Sequence, residues 1–397
     1  MTRPEVFLVR QPMASPFIHG AHRRQTSDSV LLRWARGPYT GIGECAPRRY
    51  VTGETCESVL GELRSIDFDT LARALASEDP VDRGRTLYEQ GLSSLPEGGV
   101  GNNTRCLVEM AALDSLARQA QLPLSAYLQR VIGPDAPAHR TLPAAVNITQ
   151  VLDLSQPVQA FLEQRKPRHS LKLKLASDPH ANRQRLEAIS TLEPTLALYV
   201  DPNMSWSPEQ LHSSAAQFRE LDVALFEEPL PQGSLEEYRR ARLTHNVAIM
   251  LDESVTSPST LERAWQCEAL DAVNLRIAKC GGLLATAKMI EQCFRWGLPV
   301  YLGVQVAEVG PLIAAHRALL SVYDGFLGVE AGQHDRFFDV TMMEPMPVID
   351  RQQNAIHLPV PTQHGLGCAL TPHVLPFHCA TDDASPLNNP LHMERAR

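Results

Sequence analysis

The sequence contains no basic block. Its 37 lysines and arginines are outnumbered by 45 aspartates and glutamates, giving a formal net charge of -8. Nothing therefore favours nucleic acid as a partner, and an anionic substrate needs a local cation. No Cys-x-x-Cys pair occurs among the 8 cysteines, which argues against a structural zinc site or a redox motif. The opening MTRPEVFLVRQ lacks a long apolar stretch of signal-peptide type. No apolar run reaches membrane-spanning length. These absences lead to the expectation of a reduced, cytoplasmic protein with no membrane partner. What remains is ordinary globular composition, 44% hydrophobic and 21% charged over 397 residues. That length suits two domains with large cores and no staples.

The N-terminal part reads as strands followed by helices. VFLVRQ and SVLLRWA are expected strands, and GIGECAP after them reads as a Gly-rich turn. Helix is expected from about Cys56 and again through Thr104–Arg118. There Val108, Ala111, Ala112, Leu113, Leu116 and Ala117 fall at helical spacing and form a buried stripe. This order suggests an α+β domain over residues 1–140. From about Leu142 the grammar changes. Eight short apolar runs (AAVNI, LKLKL, LALYVD, ALFEE, AIMLDE, AVNLRI, PVYLG and FLGVE) alternate with amphipathic stretches such as SPEQLHSSAAQFREL and LLATAKMIEQCFRWG. Eight βα repeats predict an α/β fold with a parallel, TIM-like (β/α) barrel over 141–355. An open doubly wound sheet is the alternative, but its Gly-rich phosphate loop after the first strand is missing. Residues 356–380 carry no βα rhythm, and the polar stretch 381–397 is expected to be disordered.

In a (β/α) barrel the active site lies at the C-terminal ends of the strands. The second run ends Lys172-Leu173-Lys174. Residues two apart on a strand face the same way, so both ammonium groups point into the barrel. Mutual repulsion and partial burial are expected to lower both lysine pKa values, so that one can act as a base. The next three runs end in Asp201, Glu227 and Asp252. Three carboxylates converging at one mouth repel each other unless a hard divalent cation sits among them, and all-oxygen ligation suits Mg²⁺, with Mn²⁺ as an alternative. The sixth run supplies Asn274-Leu275-Arg276 and Lys279 before Gly281-Gly282, the seventh places Gln305 and Glu308 beyond its strand, and the eighth ends at Glu330.

The ordered set Lys-x-Lys, Asp-x-Asn, Glu-Glu-Pro, Asp-Glu-Ser, then a basic residue before Gly-Gly resembles the enolase superfamily. It is most similar to the muconate-lactonising subgroup, and GIGECAP and YVTGET in the first domain resemble that subgroup too. The resemblance covers nearly the whole chain. It implies that residues 1–140 cap the barrel and that 356–380 return to the cap. It also implies Mg²⁺ on Asp201, Glu227 and Asp252, Lys174 as the base, and Lys172 tuning it and holding the substrate carboxylate. The implied chemistry is removal of a proton alpha to a carboxylate through an enediolate, for which Lys or His bases with Mg²⁺ are known in such sites.

One departure matters most. Members of this subgroup usually carry a second catalytic lysine on the sixth strand, and here that position reads Arg276. Deprotonating a guanidinium near neutrality costs on the order of 8 kcal/mol, which makes Arg276 a poor base but a good fixed cation. Lys279 is the minor candidate for a second acid/base, and its structural reading is favoured. No histidine follows the seventh strand, which excludes a mandelate-racemase type of base. Asn203 and Glu253 are expected to support the ligands beside them. Gln305, Glu308 and Glu330 could reach substrate or serve the scaffold. His19, Arg48 and Tyr50 lie in cap loops that could close over the site. These residues point first to a cycloisomerase-like isomerase or a lyase using one base on a small carboxylate. A racemase or epimerase of an amino acid derivative or dipeptide is the second reading, and a non-catalytic binding protein is the third. Barrels of this kind often form homo-oligomers.

Overall fold

The computed structural model describes residues 4–379 apart from 21, 93–94, 96–98, 134–142, 165–166 and 359–362. The domain boundary expected at 140/141 and the tail 381–397 both lie outside the described residues. Among the described residues no helix is long and apolar enough to cross a membrane.

Three antiparallel strands open the chain: β1 (Glu5–His19), β2 (His22–Arg36) and β3 (Tyr39–Cys45). A short strand near the other end, His378–Cys379, pairs with the free side of β1. GIGECAP, expected as a turn, instead forms most of β3. Its glycines answer to packing. A Cβ on Gly41 would sit 1.8 Å from the carbonyl oxygen of Ala111, and one on Gly43 would sit 2.1 Å from that of Leu107. Both carbonyls belong to the helix Asn102–Gln119, which lies directly on the strand. Gly43→Ala is therefore expected to destabilise the protein by about 1–3 kcal/mol through overpacking. Urea denaturation checks this, and an unchanged midpoint would show that the helix stands further from the strand.

The same helix was expected to bury one stripe. It is buried on nearly every face, because it is pressed between this sheet and the second domain. Two of its carboxylates accept backbone N–H groups on either side. Asp114 accepts the backbone N–H groups of Ile42 at 2.9 Å and Leu366 at 2.7 Å, and Glu109 accepts that of Leu284 at 3.0 Å. Glu44 of β3 accepts the N–H groups of Val309, Gly310 and Leu312 at 2.7, 3.1 and 3.0 Å. Glu44 and Glu109 thus sit at the N-termini of the barrel helices Pro311–Leu320 and Leu283–Trp296. Carboxylates there pair with unsatisfied donors and the positive end of the helix dipole.

The barrel is an eight-stranded parallel sheet in sequence order. A three-residue strand before it, β4 (Ala145–Asn147), stands outside it. The eight are β5 (Gln150–Leu152), β6 (Ser170–Lys174), β7 (Ala197–Asp201), β8 (Val223–Glu227), β9 (Ile249–Leu251), β10 (Ala272–Leu275), β11 (Val300–Leu302) and β12 (Gly328–Val329). Helices follow each strand, as the repeat predicts. The first run is the exception. AAVNI contains β4, which pairs antiparallel with Ala355–His357 outside the barrel. The true first barrel strand is the less apolar QVL just after it. Thr149 N–H donates to the Val329 carbonyl at 2.8 Å, joining the start of β5 to the last strand. A short apolar run cannot by itself reveal which sheet it joins.

Candidate active site

The two lysines of β6 do face the barrel mouth together, and both are buried. Their environments differ. Lys172 Nζ lies 2.9 Å from Glu227 Oε1, 2.7 Å from Glu330 Oε1 and 4.3 Å from the centre of the Tyr301 ring. Burial works against its charge, but Glu227 and Glu330 outweigh burial and hold its pKa well above the usual lysine range. This corrects the expectation that both lysines drift towards neutrality. The strand shows each lysine its twin, whereas the carboxylates come from β8 and β12. Lys174 Nζ contacts Asp201 Oδ2 instead.

Asp201, Glu227 and Asp252 stand at the ends of β7, β8 and β9, all nearly inaccessible to solvent. Each is drawn to its own cation: Asp201 to Lys174, Glu227 to Lys172, and Asp252 to Arg276 and Lys279. Among the described residues, no three His, Cys, Asp or Glu side chains are placed so as to hold a metal ion. The three carboxylates share a rim without converging. Burial and then the neighbouring Glu227 raise the pKa of Asp201. Burial opposes the charge of Glu227, but Lys172 and Lys174 outweigh it and hold that carboxyl at about 2. Glu253 instead receives Arg276 Nη2 at 3.3 Å. Burial, then Asp201, push it up to about 8.

Arg276, just beyond β10, is a hub. Its Nε donates to Asp252 Oδ1 at 3.0 Å, its Nη1 to Gln305 Oε1 at 2.9 Å and its Nη2 to Glu253 Oε1 at 3.3 Å. Lys279 is fully buried and donates to the Asp252 carbonyl, Asp252 Oδ1 and the Asn274 carbonyl at 2.6, 2.8 and 2.7 Å. It does not line the cavity. Glu330 lines the cavity but serves as the partner of Lys172, and its second oxygen accepts the N–H of Val304 at 3.1 Å. Glu308 was a candidate substrate contact. It lies off the cavity, buried, where its Oε1 accepts the N–H of Gln305 at 2.7 Å and shapes the loop after β11. Asn203, at φ +50°, does line the cavity, and its own N–H donates to Asp201 Oδ1 at 2.8 Å.

The mouth opens into a cavity of about 320 Å³ roofed by the cap. His19 and Tyr50 are in the roof, as their loops suggested, with ring centres 5.7 Å apart. His19 is buried, and burial, then the charge of Lys174, hold its imidazole pKa down at about 2. It is a neutral ring at ordinary pH. Arg48 is not in the roof. It is buried and donates to the carbonyls of Asp28, Pro47 and Val306 at 3.0, 2.9 and 2.6 Å, tying the cap to the loop after β11.

Three contributors are given no role by the sequence reading. Asn274, two residues before Arg276 on the same face, donates to Glu227 Oε1 at 2.7 Å, and that spacing was a usable signal. Glu228, the second acid of Glu-Glu-Pro, accepts the N–H groups of Asp252 and Ser254 at 2.7 and 3.2 Å and so fixes the end of β9. The outer wall, with Asp335, Arg336 and Arg351, comes from a stretch without pattern, and only barrel closure brings it to the mouth.

Residues 155–374 match the family model for the enolase C-terminal domain-like fold. The chain belongs to the enolase superfamily. Within it the assignment is to the mandelate racemase/muconate lactonising family. The chain is 26% identical over 385 residues to N-succinylamino acid racemase from Amycolatopsis sp, covering 94% of this chain and 95% of that one. It is 26% identical over 316 residues to chloromuconate cycloisomerase from Pseudomonas putida, covering 79% and 82%. Its fold matches that of a dipeptide epimerase from Enterococcus faecalis V583 complexed with Mg and the dipeptide L-Leu-L-Tyr. That match has a TM-score of 0.77 and 19% identity, covering 93% of this chain and 99% of that one. This superfamily member is thus an enzyme, akin to racemases and cycloisomerases.

Proposed function

We propose that this enzyme removes a proton from the carbon alpha to a carboxylate with Lys174 as the base, and that it requires Mg²⁺. The observation that carries the proposal is the shared rim: two buried lysines of β6 face buried carboxylates at the ends of the next three strands. Asp201, Glu227 and Asp252 would hold the cation, which would have to replace the lysine and arginine contacts that now draw the three carboxylates apart. They form an all-oxygen donor set of the kind that suits Mg²⁺, and each already takes a cationic partner from the protein. When bound, Mg²⁺ would supply Lewis-acid stabilisation of the negative charge that develops on the substrate carboxylate. Lys172 is held charged by Glu227 and Glu330 and suits a fixed electrostatic role. Lys174, with Asp201 as its contact, is the better-placed proton acceptor. Glu253, Asn203 and Asn274 orient the groups around them.

The test is Mg²⁺-dependent exchange of the α-proton of a carboxylate set in D₂O. Absence of exchange from every member, with Mg²⁺ demonstrably bound, would sink the proposal.

A racemase or epimerase reading draws support from the activities named for the relatives. Two-face chemistry needs a second acid/base, however, and this chain offers Arg276 and Lys279. Arg276 is tied to Asp252, Glu253 and Gln305, and Lys279, which does not line the cavity, is spent on three oxygens of Asp252 and Asn274. Exchange is therefore expected on one face only. Arg276→Met should slow turnover without altering that stereochemical course, and Arg276→Lys should add slow exchange on the other face. If the wild-type enzyme interconverts both enantiomers of a substrate at similar rates, the epimerase reading replaces the one-base reading.

A further inference from the structure

The cap strand that roofs the cavity bulges where it reaches the barrel. Pro12 of β1 stands opposite Thr26 of β2, and Phe17 opposite Arg24, so residues 13–16 face Gln25 alone. Extra residues of this kind disrupt the ladder and are not fixed by it. The bulge meets Arg336, from the short helix His334–Phe337 after β12. Arg336 Nε donates to Ser15 Oγ at 3.3 Å and Nη2 to the Pro16 carbonyl at 3.4 Å. The same guanidinium grips the barrel. Nη1 lies 2.7 Å from Oδ2 of the fully buried Asp153, just beyond β5, and donates to Gln333 Oε1 at 2.8 Å, while Nη2 also donates to Ser155 Oγ at 3.2 Å. Its carbon lies 6.0 Å from the centre of the Phe17 ring and 4.9 Å from that of Phe337.

The junction continues on both sides. The Leu154 N–H donates to the Ile18 carbonyl at 2.9 Å, a backbone bond from barrel to cap. Arg185 donates to the Asp153 carbonyl at 3.1 Å and to the Lys174 carbonyl at 2.9 Å. Asp153 therefore joins the roof to the strand end that carries Lys174. A planar fork with fixed donors can span cap and barrel at once, which a lysine ammonium cannot.

We infer that Arg336 is a positioning residue: it clamps the bulged cap strand onto the barrel and so sets Phe17 and His19 over Lys174. All three line the cavity, and both roof rings are buried. A roof held there keeps water from the reacting end. The effect on chemistry rests on the proton-abstraction reading; the clamp itself does not.

Hydrogen exchange of the Leu154 amide reads the clamp without substrate. Arg336→Met is expected to speed it roughly 10- to 100-fold, the worth of hydrogen bonds to a charged group. The Gly303 amide, which donates to the Leu275 carbonyl in the barrel, should keep its wild-type rate. Because Arg336→Met leaves buried Asp153 without its partner, Arg336→Met/Asp153→Asn, which strands no charge, is measured beside it and should open in the same place. Unchanged Leu154 exchange in both variants, or equal acceleration at Leu154 and Gly303, overturns the inference. Kinetics read the positioning, with the fastest-exchanging member of a set of dipeptides, N-acylamino acids and lactones in D₂O. The double variant should lose about 100-fold in kcat/KM, the scale of an ångström's misplacement, and Arg336→Lys should keep little more. Faster Leu154 exchange with unchanged kcat/KM overturns the positioning role, as does wild-type behaviour of Arg336→Lys. If the wild-type enzyme exchanges no carboxylate while Leu154 opens as expected, that result supports the clamp and overturns the base reading.

Discussion

Replacing Lys174 with alanine is expected to lower turnover by about 10²- to 10⁴-fold, the range typical of a lost general base. Lys174 shares the mouth with Lys172, yet the two are not equivalent. Lys172 is gripped by Glu227 and Glu330 over the Tyr301 ring, which stabilises its charged form. Among the described residues Lys174 has one carboxylate contact, with Asp201, and it lines the cavity. Its removal deletes a side chain at the rim and leaves the barrel core untouched. Circular dichroism of Lys174→Ala should therefore stay near wild type and Mg²⁺ should still bind, although the thermal midpoint should fall because buried Asp201 loses its partner. A variant that keeps near-normal α-proton exchange would show that another group accepts the proton. Lys172→Ala gives a different expectation. It strips the counter-charge from buried Glu227 and half-buried Glu330 and should lose still more stability, along with activity, since breaking a buried pair costs about 3–5 kcal/mol.

Glu227→Gln is expected to lower Mg²⁺ affinity by at least about 100-fold, and turnover with it. Loss of a supporting partner around a metal typically costs about 10- to 100-fold, so loss of a direct ligand should cost more. Glu227 stands between Asp201 on β7 and Asp252 on β9, and Lys172, Lys174 and Asn274 all act on it. Glutamine keeps the shape and the hydrogen bond from Asn274 can be retained, but the negative charge is gone. Calorimetric titration with Mg²⁺, repeated with Mn²⁺, reads the effect directly. An unchanged affinity would remove Glu227 from the metal site and with it the proposed role of the carboxylate rim.

The sequence alone determined the barrel, the strand ends and the order of the chemical groups. A parallel βα repeat forces side chains at successive strand ends onto one rim, so Lys172, Lys174, Asp201, Glu227 and Asp252 could be found by reading the last residues of each apolar run. The departure at Arg276 was equally visible, because it is a matter of residue type. What only the tertiary structure decided were contacts between groups far apart in the chain. The charge state of Lys172 depends on Glu227 and Glu330, 55 and 158 residues away in sequence. The glycines of β3 make sense only against the helix that approaches them. AAVNI and QVL are both short and extended, and only their partners, Ala355–His357 for the one and β6 with Val329 for the other, separate outer ribbon from barrel strand. Asp153 meets Arg336, and Asp335 meets Arg351, only once the barrel closes. Local pattern fixes which groups a strand end presents, but the pairing that sets their charge is a property of three-dimensional proximity.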